Sequence, residues 1–243
     1  MKKIRLHQFL SQTGQFSSKK ELIQAIRNNE IAIEGKIIKD IHYQFSQNKQ
    51  VMYKNKILQR KKEHLYYIIN KPIGYLCSKL TAMDKQLGKK SVFSLLTVSE
   101  EEKNSLFSVG RLDEDSSGLL IITNDGVLGK KLTEPGKVEK TYVVELKKRI
   151  TGEEIRKIEE GIIIHMEENG KISKYKTLPC RINKIKENII EITLKEGKKR
   201  EIKRMMEAVN NYVVALERIS IGKLQVGNLK QGAYRNVRKE EIF

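Results

Sequence analysis

The sequence predicts an α+β protein of two domains, a small one at residues 1–62 and a larger one at residues 63–243. The length of 243 residues suits a small and a medium domain, since domains commonly hold about 100–200 residues. Helix-like and strand-like hydrophobic patterns alternate along the chain. Residues 1–63 carry 14 Lys and Arg against 5 Asp and Glu, which is half of the net charge of +18. A hydrophilic run at Arg60–Glu63 marks the boundary.

The composition is typical of a globular protein outside the membrane. Hydrophobic residues make up 39% of the chain, enough for a sizeable core. No apolar run approaches the roughly 20 residues that cross a bilayer, and the basic start is not followed by the apolar segment of a signal peptide. The 2 Cys and 4 His are scattered. We therefore expect a cytoplasmic protein without a disulfide framework or a metal site.

The excess of positive charge indicates a polyanionic partner, of which RNA and DNA are the commonest. Lys enrichment through genome composition is the alternative explanation. The concentration of charge in the first domain favours nucleic acid over that alternative. A DNA-binding protein is disfavoured because the sequence has no helix-turn-helix or zinc signature.

The first domain is predicted to have two short helices and then strands. Apolar residues at helical spacing predict one helix before Gly14 and another after Ser18. Ser18–Glu21 has the form of a capping box, in which the Ser hydroxyl and the Glu carboxylate accept hydrogen bonds from N–H groups at the helix start. A hairpin is predicted over Ile31–Ile38, and Val51–Leu58 allows a further short pairing.

The larger domain is predicted to mix strands and helices. Strands are predicted at 65–70, 108–111, 118–122, 141–146, 181–186, 189–195 and 213–221. Helices are predicted at 127–132, 151–161 and 200–209. Thr151–Glu154 forms a second capping box, and Glu187-Asn188 predicts a hairpin turn.

The loop Gly110–Gly118, with the sequence GRLDEDSSG, places three carboxylates between two apolar strands. A calcium loop is rejected, because Asn124 stands where an EF-hand carries its bidentate Glu. On spacing alone, an Asx-type turn with carboxylates bonded to nearby backbone N–H groups is favoured over catalysis. A catalytic role would need one carboxylate that a cation keeps ionised and that points at a substrate.

Two further segments are candidates for contact with a polyanion. Arg200, Lys203 and Arg204 have i, i+3, i+4 spacing and would share one face of the predicted helix, opposite an apolar face. A solvated basic face is the ordinary explanation, and phosphate contact is at least equally favoured here. Tyr142 is either a packing residue of its strand or a platform on which an extruded base stacks.

These segments resemble the RsuA/RluB/RluE/RluF family of ribosomal RNA pseudouridine synthases over essentially the whole chain. The matching segments are residues 4–38, which look like an S4 RNA-binding domain, YYIINKPIGY (66–75), VGRLDEDSSGLLIITNDG (109–126), KTYVVEL (140–146), EGKKREIKRMMEAV (196–209), ALERISIGKL (215–224) and GAYRNVRKEEI (232–242). The segment 109–126 is the most specific. The resemblance implies an S4-like RNA-binding domain at 1–62 and a catalytic domain at 63–243 with a largely antiparallel mixed sheet and flanking helices.

The resemblance also implies roles for individual residues. Asp113 takes the position of the essential aspartate, Tyr142 that of the active-site aromatic residue, and Lys203 that of a basic residue near them. Implied RNA contacts are Arg111, Arg200 and Arg204 near the pocket, and Arg5, Lys19, Lys20 and Arg27 in the first domain. The sequence departs from the family at Glu201, where Gln is usual, and this would add a negative charge near the site.

The implied reaction breaks the bond between uracil N1 and ribose C1′ and joins C5 to the same carbon, with neither metal nor organic cofactor. Lys203 would pair with Asp113 and favour its charged form. The implied partner is ribosomal RNA, free or in an assembly intermediate, with small-subunit RNA favoured slightly over large-subunit RNA. A monomer without membrane contact is expected.

A non-catalytic S4-domain RNA-binding or ribosome-assembly factor is the alternative function. Intact Asp113, Tyr142 and Lys203 argue against it, and Glu201 is the feature in its favour.

Overall fold

The computed structural model describes residues 3–59, 63–168 and 170–242, which divide into two compact units. The first unit comprises the described part of Met1–Leu65 together with Leu96–Phe107. The second comprises the described part of Tyr66–Leu95 and Ser108–Phe243. The linker expected at residues 60–63 lies, except for Glu63, outside the described residues. The division into an S4-like domain at 1–62 and a catalytic domain at 63–243 stays a prediction.

The first unit contains the two short helices and the strands expected from the sequence. In chain order the elements are β1 (Lys3–Arg5), α1 (Leu6–Ser11), α2 (Lys19–Arg27), β2 (Ile31–Ile33), β3 (Lys36–Ile37), β4 (Gln44–Ser46), β5 (Val51–Tyr53) and β6 (Lys56–Leu58). Strand β1 pairs with β4, and β3-β2-β5-β6 form a second antiparallel sheet. Both predicted pairings are therefore confirmed. The core of the unit includes Phe9, Leu22, Ile26 and Phe45.

Helix α2 begins after Ser18 as expected, but only half of the predicted capping box forms. The Ser18 hydroxyl accepts a hydrogen bond from the Glu21 N–H at 3.2 Å. The Glu21 carboxylate does not accept from the N–H of Ser18. It accepts instead from Ser17, from the N–H at 2.8 Å and from the hydroxyl at 2.6 Å. The carboxylate still lies at the positive end of the helix, where an anion is stabilising.

The second unit is built from many strands and a few short helices. Its first elements are β7 (Tyr66–Lys71), β8 (Tyr75–Leu76), α3 (Ala82–Gln86), β9 (Lys90–Ser91) and a 3-10 helix (Val92–Leu95). Helix α4 (Glu100–Ser105) belongs to the first unit, and β10 (Phe107–Val109) brings the chain back. The remaining elements are β11 (Ser117–Thr123), α5 (Gly126–Thr133), β12 (Lys140–Leu146), α6 (Gly152–Glu159), β13 (Ile163–Glu168), β14 (Lys171–Lys176), β15 (Arg181–Lys186), β16 (Ile189–Leu194), α7 (Glu201–Ala208), β17 (Val213–Ile221), β18 (Leu224–Gln225), β19 (Tyr234–Asn236) and α8 (Lys239–Ile242).

Most described strands of the second unit form one largely antiparallel mixed sheet, which confirms the predicted fold class, while β8–β9 and β13–β14 form separate two-stranded sheets. The strand order in the main sheet is β15-β16-β12-β17-β11-β7-β19. Strands β11 and β17 run parallel, whereas β12 on one side and β7 on the other pair antiparallel with them. Every residue of β11 is buried, as expected for a central strand covered on both faces.

The contact between β11 and β17 requires glycine at position 118. Gly118 lies opposite Arg218 with a φ of +107°, and a Cβ there would lie 2.3 Å from the Arg218 carbonyl oxygen. The buried Arg218 side chain donates from Nε to the Leu119 carbonyl at 2.7 Å. Glycine thus allows the strand that follows the acidic loop to reach the centre of the sheet.

Every strand and helix predicted after residue 63 is present in the structure, but several short elements were not predicted. These are β8, α3, β9, the 3-10 helix, α4, β18, β19 and α8. The capping box of α6 and the hairpin β15–β16 are confirmed. The hairpin formed by β13 and β14 was not predicted, although Asn169-Gly170 is a strong turn signal. Across the described ranges, no helix has the length and apolar character needed to cross a membrane.

Candidate active site

The acidic loop between β10 and β11 is anchored by the side chain of Lys71 at the end of β7. Lys71 is fully buried. Its Nζ donates to the carbonyl oxygens of Ser116 at 2.6 Å, Pro72 at 3.1 Å and Glu114 at 3.4 Å. Burial lowers the pKa of Lys71. Each hydrogen of the ammonium nevertheless has a carbonyl partner, and charge-assisted hydrogen bonds of this kind are the stronger ones.

The residues on either side of Asp113 are fixed by the chain that follows Lys71. The Leu112 N–H donates to Cys77 Sγ at 3.2 Å, and the Cys77 thiol donates to the Leu112 carbonyl at 3.3 Å. The Gly74 N–H donates to the Glu114 carbonyl at 2.8 Å. The backbone therefore positions Asp113, whose side chain remains 36% exposed.

Lys203, on α7, is the cation beside these carboxylates. Its side chain is buried, and its Nζ lies 2.5 Å from Asp115 Oδ1 and 3.9 Å from Asp113 Oδ2. The expected neighbour Asp113 is present, but the closer partner is Asp115.

Asp115 is held in its charged form by this contact. Partial burial alone would raise the pKa of Asp115, but the hydrogen bond from Lys203 and the charge of its ammonium outweigh that effect. The pKa of Asp115 consequently lies below its ordinary value. One ammonium thus lies between two carboxylates, of which Asp113 is the more buried.

A cleft of about 530 Å³ opens beside Asp113, within the usual range of ligand pockets. The acidic loop, β12 and the chain from Gly197 to Lys203 contribute to its lining. Tyr142 of β12 also lines it and is 7% exposed. The pairing of β12 with β17 is irregular between Thr141 and Tyr142. The cleft therefore brings together Asp113, Tyr142 and Lys203 from three separate parts of the chain.

The prediction that Arg200, Lys203 and Arg204 share one basic face of a helix is wrong. Arg200 precedes α7 and has left-handed backbone, with a φ of +55°, so the helical spacing does not apply to it. Lys203 is buried against the acidic loop, and Arg204 donates to the Lys199 carbonyl at 2.7 Å. Arg111 and Arg200 are exposed and line the cleft, whereas Arg204 is not among the described residues that line it.

The four basic residues expected to contact RNA in the first domain all have exposed side chains. Arg5 ends β1, and the others lie on α2. They are Arg5, Lys19, Lys20 and Arg27. Their part in RNA binding stays a prediction.

The hydrogen bonds of the acidic loop do not fit an Asx-type turn. In the described part of the chain, neither Asp113, Glu114 nor Asp115 accepts a hydrogen bond from the loop's own backbone through its carboxylate. Glu114 instead pairs with Lys89 at 2.8 Å, and Asp115 pairs with Lys203. No cluster of three or more His, Cys, Asp or Glu side chains among the described residues is arranged to hold a metal ion.

Two residues of the site were not anticipated from the sequence, Asp115 as the partner of Lys203 and Lys71 as the anchor of the loop. Spacing does not reveal which of two nearby carboxylates a lysine 88 residues away will meet. Lys71 does carry a signal, because it ends an apolar strand and directly precedes Pro72. A charged residue in that place is buried only when it has polar partners.

Known proteins are similar to this chain in sequence and in fold. The family model described as RNA pseudouridylate synthase matches residues 65–208. The chain is 36% identical to an uncharacterized RNA pseudouridine synthase of Bacillus subtilis (strain 168), covering 98% of this chain and 97% of the relative. It is 29% identical to ribosomal large subunit pseudouridine synthase B of the same organism, with 98% and 93% covered. It is 32% identical to ribosomal small subunit pseudouridine synthase A of Salmonella typhimurium, with 89% of each covered. A crystal structure of a pseudouridylate synthase is similar with a TM-score of 0.68, 28% identity and 98% of each chain covered.

The chain therefore belongs to the RNA pseudouridylate synthase family. It is an enzyme that isomerises uridine in RNA to pseudouridine. These relatives do not favour the alternative of a non-catalytic RNA-binding factor.

The anchoring role of Lys71 gives the first prediction. Lys71→Met keeps the length of the side chain but removes the ammonium that holds the carbonyl oxygens of the acidic loop. We expect kcat to fall by roughly 10- to 100-fold, because a small misplacement of a reacting group is costly. Single-turnover measurement of pseudouridine formation, with folding monitored by circular dichroism, tests this.

Lys89→Met is the matched control, because Lys89 pairs with the same loop through Glu114 but both side chains are more than a third exposed. Exposed pairs contribute only about 0–1 kcal/mol, so its kcat should change by less than about fivefold. Equal effects of the two substitutions on kcat would contradict the role of Lys71 in positioning the acidic loop.

Proposed function

We propose that this enzyme converts a uridine of ribosomal RNA to pseudouridine, with Asp113 as the carboxylate that acts on the ribose. The observation that carries the proposal is the cleft lined by Asp113, Lys203 and Tyr142, in which Lys203 Nζ lies 3.9 Å from Asp113 Oδ2. Small-subunit RNA is the substrate we propose, as the resemblance implies. Sequence identity does not separate the two classes, at 32% over 89% of the chain for a small-subunit enzyme and 29% over 98% for a large-subunit one.

The chemistry needs an ionised carboxylate beside the sugar. Breaking the bond from N1 to C1′ develops positive charge on the ribose, which an anion stabilises or captures. Asp113 can attack C1′ or accept the 2′ proton, and both routes require the carboxylate to be charged. Lys203 lies 3.9 Å from Asp113 Oδ2 and supports that charge.

The reacting base must leave its helix to enter the cleft. Extruding a paired base costs a few kcal/mol, and stacking on an aromatic side chain offsets part of this cost. Tyr142 supplies that ring and is also a candidate base for the proton on C5. Arg111 and Arg200 are suited to phosphate contact, because they are exposed at the lining of the cleft.

The test is modification of 16S and 23S transcripts by the wild type, Asp113→Asn and Asp115→Asn, with pseudouridine mapped by nucleotide. Asp113→Asn should give no product and bind RNA with unchanged affinity. Asp115→Asn should give reduced but detectable product, because it loses the closer partner of Lys203 but keeps the reacting carboxylate.

Product from Asp113→Asn, together with none from Asp115→Asn, would show that Asp115 and not Asp113 is the reacting carboxylate. Product confined to 23S transcripts would overturn the preference for small-subunit RNA.

We also propose that residues 1–62 form an S4-like RNA-binding domain that determines affinity. The support is the resemblance of residues 4–38 and the exposure of the four basic side chains that would grip structured RNA. We propose further that the enzyme is a cytoplasmic monomer that works without metal or organic cofactor, since the isomerisation imports no group and changes no oxidation state. Free ribosomal RNA and an assembly intermediate are both chemically suitable substrates.

The RNA-binding proposal predicts the salt dependence of affinity. Replacing four basic side chains by alanine should weaken RNA binding, and the slope of log affinity against log salt should decrease by about 3, at about 0.7–0.9 per lost phosphate contact. The kcat at saturating RNA should stay within about twofold. The replaced residues are Arg5, Lys19, Lys20 and Arg27.

A matched control removes the same charge from other exposed positions of the same unit, Lys36, Lys39, Lys49 and Lys56. Equal loss of affinity in both variants would mean that total charge alone attracts the RNA, and it would contradict a defined binding face.

A further inference from the structure

Two glutamates at the wall of the cleft are buried side by side. Glu196 follows β16 and is 3% exposed, and Glu201 begins α7 and is 4% exposed. Glu201 itself lines the cleft. Burying two carboxylates together is costly when both are charged, because each loses its hydration and repels the other.

The two buried carboxyl groups interact directly with each other. Two ionised carboxylates in a buried site repel each other, and neither has a proton to donate. The pair is therefore best accommodated with a proton on one of the two.

Glu196 has the surroundings of the ionised partner. Its Oε2 accepts from the Tyr175 hydroxyl at 2.6 Å, and its Oε1 accepts from the Leu178 N–H at 2.6 Å. Glu201 Oε2 accepts from the Lys198 N–H at 2.8 Å, whereas no donor in the described part of the chain reaches Glu201 Oε1. Glu201 Oε1 is therefore the oxygen best placed to carry the proton.

The charged and titratable groups around the pair are compatible with an ionised Glu196 and a protonated Glu201. Lys198 attracts both carboxylates from the same loop, and its Nζ lies 4.6 Å from the centre of the Tyr175 ring. The hydrogen bond to Glu196 raises the pKa of Tyr175 to about 12, so the phenol remains a donor. Burial raises the pKa of the Cys180 thiol to about 12, so it adds no charge. Lys140 of β12 also has a favourable charge interaction with Glu201.

The pair fixes the chain that forms this wall of the cleft. Through Tyr175 and Leu178, Glu196 ties the end of β16 to β14 and to the chain after it. Through the Lys198 N–H, Glu201 ties the turn to the start of α7, the helix that carries Lys203. The intervening Gly197–Arg200 lines the cleft, and Arg200 is in a left-handed conformation that needs such support.

We propose that Glu201 is a positioning residue that works in its protonated form, donating a hydrogen bond to ionised Glu196 and so holding the RNA-facing wall of the cleft in shape and free of negative charge. This inference rests on the proposed function only where RNA is concerned. A neutral carboxylic acid has the shape and the donor of a glutamine amide. The negative charge that the sequence led us to expect at position 201 is therefore absent near neutral pH.

Ionisation of Glu201 sets the pH range in which the wall is intact. Burial, followed by the bond to Glu196, raises the pKa of Glu201 to about 8. The pKa of an unfolded Glu is about 4.3, so between that pH and about 8 the folded state keeps a proton that the unfolded state has released. Stability supplied by this group consequently falls as pH rises through that window and is constant above it. The pKa of Glu196 lies below its ordinary value, so Glu196 titrates outside this window.

The experiment compares full-length wild type, Glu201→Gln and Glu207→Gln. The amide introduced by Glu201→Gln can make the same hydrogen bond to Glu196 and does not titrate. Glu207 is exposed on the same helix, so Glu207→Gln controls for the change of net charge. Urea unfolding is measured at pH 5.5, 7 and 8.5, and kcat/KM on the RNA substrate is measured at pH 7 and 9.5.

The urea midpoint of Glu201→Gln, relative to wild type, should rise steadily from pH 5.5 to pH 8.5, whereas Glu207→Gln should stay parallel to wild type. The ratio of kcat/KM for Glu201→Gln to that of wild type should be near one at pH 7 and at least about fivefold higher at pH 9.5, since about 90% or more of a group of pKa 8 is then ionised. Titration of the RNA itself cancels in this ratio.

Carbon-13 NMR of the side-chain carboxyls measures the protonation in the wild type itself, and the variant serves to assign the signal. One Glu carboxyl of the wild type should titrate near pH 8 and be missing from Glu201→Gln. The proposed protonation of Glu201 would be overturned if every Glu titration were complete below about pH 6. Urea midpoints that run parallel with pH for all three proteins would overturn it as well.

The two parts of the inference fail separately. Suppose that the urea midpoint of Glu201→Gln relative to wild type changes with pH but the kcat/KM ratio does not. This result would support protonation of Glu201 and overturn its role in shaping the cleft. Absence of product from every protein would defeat the proposed function, and the unfolding and NMR measurements would still decide the protonation.

Discussion

The buried ammonium of Lys71 is the contact on which the geometry of the site depends, because two of its three carbonyl partners belong to the acidic loop. A loop with three carboxylates would otherwise tend to spread into solvent. With its backbone held at Leu112, Glu114 and Ser116, the loop needs no hydrogen bond from the Asp113 side chain. That carboxylate therefore remains available to a substrate while its position stays fixed, which is the preorganisation that catalysis requires.

A second constraint is the opposition between the charge of the substrate and the charge of the reacting group. RNA is attracted by positive charge, but the reaction needs a carboxylate. The enzyme satisfies both by placing Lys203 between Asp113 and Asp115 and by exposing Arg111 and Arg200 at the cleft.

Sequence patterns predicted most of the longer strands and helices, because hydrophobic period, capping residues and turn residues are local signals. The short elements between β7 and β10 and after β17 have too few residues for such a pattern and were not predicted. The capping box at Thr151 and the hairpin at 181–194 follow directly from local signals. Partners far apart in the chain leave no such signal, so the pairing of Lys203 with Asp115 and the anchoring of the loop by Lys71 emerged only from the fold. The protonation proposed for Glu201 has no local signal either, since it depends on burial beside Glu196, which comes from β16.

The most direct test of the central claim is a crystal structure of Asp113→Asn bound to an RNA fragment that contains the modified uridine. The account predicts one nucleotide turned out of its stack into the cleft, with its C1′ beside residue 113, its base against the ring of Tyr142 and the Lys203 ammonium adjacent. A uridine that stays stacked, or that occupies another surface with the cleft empty, would contradict it.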